Sequence, residues 1–406
     1  MKFKYQCVNC KSEYDNKELI YLCPKCEKEN KKNSTLKGVL KVIYNYDELK
    51  KREFEYFDDI INIWPIDSMD SLSHLDIGNT PIYSKEYKDN NLFFKMDALN
   101  PTYSFKDRAS DLVCAIAVEN GIDTVITAST GNAASSLAGL AAAYGIKSIL
   151  FVPKSAPKAK LLQSAVYGGN IIPIDGTYDD AFDLSIEASK KFGWYNRNTA
   201  YNPFTIEGKK SVSIEIFIQF MNSNIDIPST IFVPVGDGVI ISGVYKGFED
   251  LLLMEKIDKM PKIIAVQAKG SNNIISNLKD DEFSYKNAST VADSISVDIP
   301  RNFHMAKDFI NTYNGEGIEV TDKEIMDASL KLGRKFGLFV EPAAATAFAG
   351  FEKYTDINSD IIDEDFLVLL TGSGLKDINS IEKLITLPKP IKKLEDINIL
   401  EDYDKN

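Results

Sequence analysis

The sequence has little histidine and no excess of basic residues. Only two histidines, His74 and His304, occur among its 406 residues, so catalysis by a histidine base is not favoured. The net charge of −12 argues against a nucleic-acid-binding surface, which needs a basic patch. No apolar run is long enough to span a membrane, and no basic and apolar leader opens the chain. We therefore expect a cytoplasmic protein that binds neither nucleic acids nor membranes.

Cysteine is also scarce, but four of the five cysteines are clustered. Cys7 and Cys10 form one CxxC pair, and Cys23 and Cys26 form a second. Two such pairs present four thiolates to one tetrahedral ion, so residues 1–30 are predicted to form a zinc ribbon with a closed, structural Zn²⁺ site. Two disulfides or free thiols are the alternative, although disulfides are disfavoured in a cytoplasmic chain. Cys114 lies in an apolar run and is predicted to be a buried small hydrophobe.

The length and the apolar pattern predict two α/β units beyond the ribbon. A chain of 406 residues is too long for one small core. Near-continuous apolar strands between helical stretches indicate parallel sheets covered on both faces, in a doubly wound arrangement. Residues 31–95 and 205–406 are predicted to form a large unit, with 96–204 as a small inserted unit. The predicted strands lie at 124–127, 147–152, 170–174, 230–235, 262–266 and 366–370.

A lysine in an unusual setting suggests the chemistry. Lys106 follows a run rich in hydroxyls and aromatic rings, and we predict a loop there rather than a helix face. Most lysines are solvated surface charges. A lysine that forms an imine or acts as a base must instead be partly desolvated, so that its pKa falls toward neutrality. Tyr103 and Phe105 could provide that environment, so the sequence indicates an imine-forming Lys106.

The run Ser129-Thr130-Gly131-Asn132 follows a predicted strand and opens a predicted helix over 133–144. Backbone N–H groups at a helix N-terminus bind anions, and a glycine permits close approach. A substrate carboxylate fits such a site. Helix capping by the polar residues is the structural alternative, but capping does not need four consecutive small or polar residues.

Two further glycine turns follow predicted strands. Gly236-Asp237-Gly238 resembles a phosphate cradle built from backbone N–H groups. Thr371-Gly-Ser-Gly374 offers a hydroxyl that could donate to a ring nitrogen. Each turn alone is weak evidence, and the chain has neither a P-loop nor a GxGxxG dinucleotide motif. Together with Lys106 they favour a phosphorylated aldehyde cofactor held covalently in the cleft between the two units.

The motifs together resemble the threonine synthase group of fold-type-II pyridoxal 5'-phosphate (PLP) enzymes, which are similar to the β subunit of tryptophan synthase. They occur in the family's order between about residues 80 and 380, and an N-terminal four-cysteine ribbon occurs in some members. The matching runs are 104–108, 129–132, 202–203, 207–208, 234–236, 341–343 and 371–377.

The resemblance implies a role for each motif residue. Lys106 is the implied Schiff-base lysine and, once released, the general base at the substrate's α carbon. Asn132 contacts the cofactor's 3-hydroxyl, and Thr371 binds the pyridine nitrogen. A neutral hydroxyl there suits elimination or replacement at the β or γ carbon. The implied phosphate cradle is the backbone of Gly236, Asp237, Gly238, Val239 and Ile240. The implied clamp for the substrate carboxylate is Ser129, Thr130 and Gly131.

The sequence departs from the family pattern where a substrate phosphate binds. Ala133 stands where a threonine is common. The family's Asn-Ser-x-Asn-Pro-x-Arg run reads Thr199-Ala-Tyr-Asn-Pro-Phe-Thr205 here, so its arginine is missing. Losing it removes a bidentate, charge-assisted contact. The candidate replacements are Arg108, Lys209 and Lys210.

The reaction that the resemblance favours is conversion of O-phosphohomoserine and water to threonine and phosphate. The alternative within the class is β-elimination or β-replacement on serine, threonine, phosphoserine or diaminopropionate, by cysteate-synthase-like or ammonia-lyase-like chemistry. A second alternative is a non-catalytic relative that binds a ligand or partner through the ribbon, and a third is a nucleic-acid role for the ribbon. The resemblance also suggests a homodimer.

Overall fold

The computed structural model describes residues 2–382 except 32, 33, 157 and 281, together with 385, 387 and 390. The polar C-terminal tail from 391 onward lies outside the described residues. These residues form three sheets. Two are the large sheets of α/β units, and the third is a small antiparallel sheet. No helix in this part of the chain is long and apolar enough to cross a membrane.

The largest sheet has six strands in the order β12-β11-β10-β13-β5-β4. Its strands are parallel except for β4, which pairs with β5 in the antiparallel sense. Central strands β10 and β13 are almost wholly buried because helices cover both faces. The strands are β4 (Ile82–Tyr87), β5 (Asn90–Lys95), β10 (Thr230–Pro234), β11 (Lys262–Ala268), β12 (Glu316–Val320) and β13 (Asp365–Leu369).

The second sheet is fully parallel, with four strands in the order β8-β7-β6-β9. Its members are β6 (Thr124–Ala128), β7 (Lys147–Pro153), β8 (Asn170–Ile174) and β9 (Tyr195–Asn196). All six predicted strands are therefore confirmed in the two large sheets. Strands β4, β5, β9 and β12 of these sheets were not predicted. The two-residue β9 is too short to give a periodic signal, and β12 is a largely polar edge strand.

The third sheet joins the cysteine-rich segment to the chain that follows it. Its antiparallel order is β2-β1-β3, with β1 (Phe3–Cys7), β2 (Glu13–Asp15) and β3 (Leu40–Tyr44). Strand β3 lies beyond the predicted ribbon boundary at residue 30. The hydroxyl of Tyr21 accepts a hydrogen bond from the backbone N of Asn196 at 2.9 Å, and its ring stacks on Tyr201. The cysteine-rich segment therefore packs against the chain just after β9.

Helices pack on both large sheets. They are α1 (Tyr46–Leu49), α2 (Lys106–Glu119), α3 (Asn132–Ala143), α4 (Lys158–Val166), α5 (Tyr178–Phe192), α6 (Phe204–Asn222), α7 (Val239–Leu253), α8 (Phe303–Thr312), α9 (Asp322–Phe336), α10 (Pro342–Ile357) and α11 (Ile378–Glu382). Helix α6 is buried along nearly its whole length. It crosses α2 so closely that a Cβ on Gly208 would lie 2.2 Å from the backbone oxygen of Arg108.

Candidate active site

Lys106 is the first residue of α2, so the loop predicted for it is wrong. The helix begins there because the Asp107 carboxylate accepts a hydrogen bond from Thr102 N at 2.7 Å, which closes the preceding turn. Burial lowers the pKa of Lys106 to about 8, although the nearby Glu341 carboxylate raises it. Phe105 is buried, as expected, but Tyr103 is exposed and does not provide the desolvation. Within the described residues the Lys106 amine has no hydrogen-bond or ion-pair partner.

The Thr371 turn lies beside Lys106. The backbone N of Phe105 donates to the Thr371 oxygen at 2.8 Å, and Ser104 forms an antiparallel bridge with Gly372. Thr371 itself is buried. A strand end more than 260 residues away in sequence is thus held next to the lysine.

The Ser129–Asn132 run lies at the carboxyl end of β6, and α3 begins at Asn132. The Asn132 amide donates to the Glu341 carboxylate at 2.9 Å, and the Glu341 backbone N donates to Gly372 O at 3.1 Å. This chain of contacts connects the run to the Thr371 turn. A Cβ on Gly131 would meet no atom within 4 Å, so open space faces this backbone. Gly131 and Asn132 line a cavity with Glu341 and Lys376.

The Gly236–Ile240 turn connects β10 to α7, and no side chain of the described residues caps the start of that helix by a hydrogen bond. Gly238 caps the helix with a φ of +83°, a left-handed conformation that glycine adopts without strain. The Asp237 carboxylate accepts a hydrogen bond from the backbone N of Arg301, and burial raises the pKa of Asp237 to about 7. The N–H groups at the start of this fifteen-residue helix suit a phosphate.

The structure thus brings Asn132 and the Thr371 turn together around Glu341 and places the Thr371 turn beside Lys106. The charge of Asp237 also acts on Lys106, which puts the third turn within electrostatic range. Ser129 has one local contact, since Gly131 N donates to its hydroxyl at 3.3 Å. No hydrogen bond is present for the Thr130 side chain in the described structure.

Four charged residues of this region were not among the site residues assigned from the sequence. Glu341 and Lys376 stood in recognised motifs, whereas Lys209 was considered only as a replacement cation. Burial lowers the pKa of Lys376 to about 8, and its amine donates to Ser135 at 2.7 Å. Arg197 was missed because it follows the short strand β9. Its backbone N donates to Ile126 O at 2.7 Å, which places it beside β6.

Two of the three candidate replacements for the missing arginine are already neutralised. Arg108 contacts Asp97 at 2.6 Å and Glu215 at 2.8 Å. Lys210 contacts Glu207 at 2.6 Å and Asp250 at 2.8 Å. Both cations are buried in these ion pairs and cannot serve a ligand.

The geometry has close parallels among known proteins. Residues 74–372 match a family model described as a pyridoxal-phosphate dependent enzyme. The threonine synthase of Methanocaldococcus jannaschii is 34% identical over 98% of both chains. That of Methanosarcina acetivorans is 31% identical over 92% of both. This chain belongs to the threonine synthase family of PLP-dependent enzymes. It is therefore a PLP-dependent lyase that acts by elimination or replacement, as predicted.

A structural comparison supports the fold. The processed form of threonine deaminase isoform 2 from Solanum lycopersicum superposes with a TM-score of 0.66 at 20% identity, over 90% of this chain and 92% of that chain. This confirms the predicted α/β fold of the fold-type-II PLP enzymes. The residues of this family member fit PLP, because within the described residues the Lys106 amine has no partner and no side chain caps the start of α7.

The four cysteines form a separate cluster that fits one metal ion. Their sulfur atoms all lie within 4.8 Å of one another, with 3.8 Å between Cys7 and Cys26 and 3.6 Å between Cys10 and Cys23. Four sulfurs at about 2.3 Å from a tetrahedral zinc would be separated by about 3.8 Å. Cys114, by contrast, is buried in α2, as predicted.

Proposed function

We propose that this enzyme converts O-phosphohomoserine and water to threonine and phosphate. The observation that carries the proposal is the unpartnered amine of Lys106, which lies beside the Thr371 turn and within electrostatic range of Glu341 and Asp237. Similarity to two threonine synthases along nearly the whole chain supports the choice of reaction.

Lys106 is the proposed catalytic residue. Bound PLP supplies an electron sink for charge that develops at the substrate's α carbon. A lysine whose pKa is lowered to about 8 has a useful neutral fraction near physiological pH, so it can accept the α proton. The buried Thr371 hydroxyl is the proposed partner of the pyridine nitrogen. The Asn132 amide is the proposed contact of the 3-hydroxyl.

The remaining site residues are proposed to bind anions. The backbone N–H groups at Gly236, Asp237, Gly238, Val239 and Ile240 hold the cofactor phosphate at the start of α7, where the helix dipole favours negative charge. The open backbone beside Gly131, with Ser129 and Thr130, holds the substrate carboxylate.

A substrate panel tests this function. The purified enzyme is incubated with O-phosphohomoserine, serine, threonine, phosphoserine and diaminopropionate. Threonine and phosphate in equal amounts from O-phosphohomoserine support the proposal. Keto acid and ammonia from another amino acid would instead support the β-elimination alternative. Lys106→Ala should abolish both turnover and the visible absorbance of the lysine-bound cofactor.

We also propose that Cys7, Cys10, Cys23 and Cys26 hold a structural Zn²⁺. Sulfur separations that match a tetrahedral site support this assignment. Four protein ligands leave no open coordination position, so the ion has no catalytic role. The homodimer and the cytoplasmic location remain predictions.

A further inference from the structure

Two buried cations beside the active site have no anionic partner in the part of the chain that the structure describes. Six lysine or arginine residues are buried in the described structure, namely Lys95, Arg108, Arg197, Lys209, Lys210 and Lys246. Four of them contact a buried carboxylate. Arg197 and Lys209 are the exceptions within this set.

Both side chains make few hydrogen bonds, and the acceptors are uncharged oxygens. Within the described residues the Lys209 amine donates only to Thr205 O, at 3.0 Å. Arg197 donates through Nε to Ser110 Oγ at 3.2 Å and through Nη2 to Lys106 O at 3.5 Å. Both residues are 1% exposed. A buried charge without a counter-ion is strongly unfavourable, so these two side chains are suited to an anion that the polypeptide does not supply.

The fold places both cations next to the site. Lys209 lies between the starts of two helices that carry site residues. A Cβ on Gly243 of α7 would lie 2.6 Å from Lys209 Cβ, and the neighbouring Gly208 packs against the backbone of α2 two residues after Lys106. Arg197 contacts the backbone oxygen of Lys106. The pair therefore lies close to Lys106 and Asp237, whose charges act on Lys209.

Electrostatics support an anion at this position. Burial lowers the pKa of Lys209 well below its usual value, and the charges of Arg197 and Lys106 lower it further. Burial also lowers the pKa of Arg197 to about 10. The nearby Asp237 carboxylate is engaged by the backbone N of Arg301. An entering dianion would offset the mutual repulsion of the cations and stabilise the charged form of each.

The position of Lys209 also accounts for the missing arginine. Lys209 lies one helical turn after Thr205, where that arginine was expected, and its amine reaches back to the Thr205 oxygen. Compared with the family's motif, the positive charge therefore lies one turn later in α6.

We propose that Arg197 and Lys209 together bind a phosphate monoester, either that of the substrate or that of the cofactor. Assignment of the pair to the substrate's phosphate rests on the proposed function. The proposal that the pair binds a phosphate group does not. An arginine and a lysine supply several charge-assisted donors, which suit the oxygens of a dianionic phosphate.

The test uses Lys209→Met and Arg197→Met in the full-length, PLP-loaded enzyme. Neither change leaves a carboxylate unpaired, so both variants should fold, as circular dichroism would verify. If the Arg197→Met variant does not fold, the Lys209→Met variant alone tests the proposal. Lys147→Met, at an exposed position of β7, is the matched control for loss of one positive charge.

Two equilibrium measurements distinguish binding of the substrate's phosphate from binding of the cofactor's phosphate. Calorimetry gives the affinity of the PLP-loaded enzyme for inorganic phosphate, and absorbance after dilution gives its affinity for PLP. Pyridoxal, which lacks the phosphate, is the reference ligand for the cofactor. Removing one charge-assisted contact should weaken phosphate binding by about 10- to 100-fold.

The outcomes are distinct and do not depend on turnover. Weaker inorganic phosphate binding with unchanged PLP affinity assigns the pair to the substrate. Weaker PLP binding with unchanged pyridoxal binding assigns it to the cofactor. The proposal is overturned if neither phosphate affinity changes, or if pyridoxal and PLP weaken equally. Because threonine formation is not measured, failure of the proposed reaction would leave this result intact.

Discussion

Replacing Lys106 with methionine should stabilise the apoenzyme while removing its catalytic amine. The structure lowers the pKa of this lysine from 10.5 to about 8, which means that the folded site disfavours the charged form. Each pKa unit corresponds to about 1.4 kcal/mol. The penalty is therefore about 3 kcal/mol at pH 7. The variant, which carries no charge at this position, should be more stable by about that amount.

The pH dependence of the stability difference shows whether the buried charge of Lys106 causes it. Below pH 8 the folded and unfolded chains both hold the Lys106 proton, and the folded chain bears the full penalty. Between pH 8 and pH 10.5 only the unfolded chain holds it, so wild-type stability rises with pH. The stability difference between Lys106→Met and the wild type should therefore shrink from about 3 kcal/mol at pH 7 toward zero at pH 10.5.

Urea unfolding of the PLP-free, zinc-loaded proteins, followed by circular dichroism between pH 7 and pH 10.5, measures this difference. Lys85→Met, at an exposed position of β4, controls for the loss of a lysine. A Lys106→Met variant that is no more stable than wild type at pH 7 would refute the desolvated-amine interpretation. A stability gain that does not change with pH would refute it as well.

Three other predictions concern packing, metal binding and electrostatics. Gly208→Ala should destabilise the protein by about 3 kcal/mol because the new Cβ meets a backbone oxygen. Gly333→Ala, with no atom within 4 Å, should instead stabilise it by about 0.5–1 kcal/mol in the same urea assay. Cys23→Ser should lower the zinc content measured by atomic absorption, whereas Cys114→Ala should retain it. Glu341→Gln removes a charge that raises the pKa of Lys106, so PLP uptake by the apoenzyme should reach half its maximal rate at a lower pH.

The sequence alone determined the fold class, the six main strands and the motifs around the cofactor. Buried parallel strands are continuous apolar runs, and glycine turns at their ends have distinctive local composition, so both can be read from neighbouring residues. The two CxxC pairs indicated a metal site for the same reason. Lys106 was recognised from its motif, although its placement in a loop was wrong because the turn before α2 is closed by a contact between Asp107 and Thr102.

Only the tertiary structure decided which charges remain available for ligands. Arg108, Lys209 and Lys210 are equivalent by composition, yet Arg108 and Lys210 lie in buried ion pairs and Lys209 does not. Whether a lysine meets a carboxylate depends on helices that cross far apart in sequence. Arg197 gave no local signal, since its strand has only two residues and its position beside Lys106 arises from packing between β9, β6 and α2. Local pattern therefore fixed the cofactor chemistry, and long-range packing fixed the cations that remain for a phosphate.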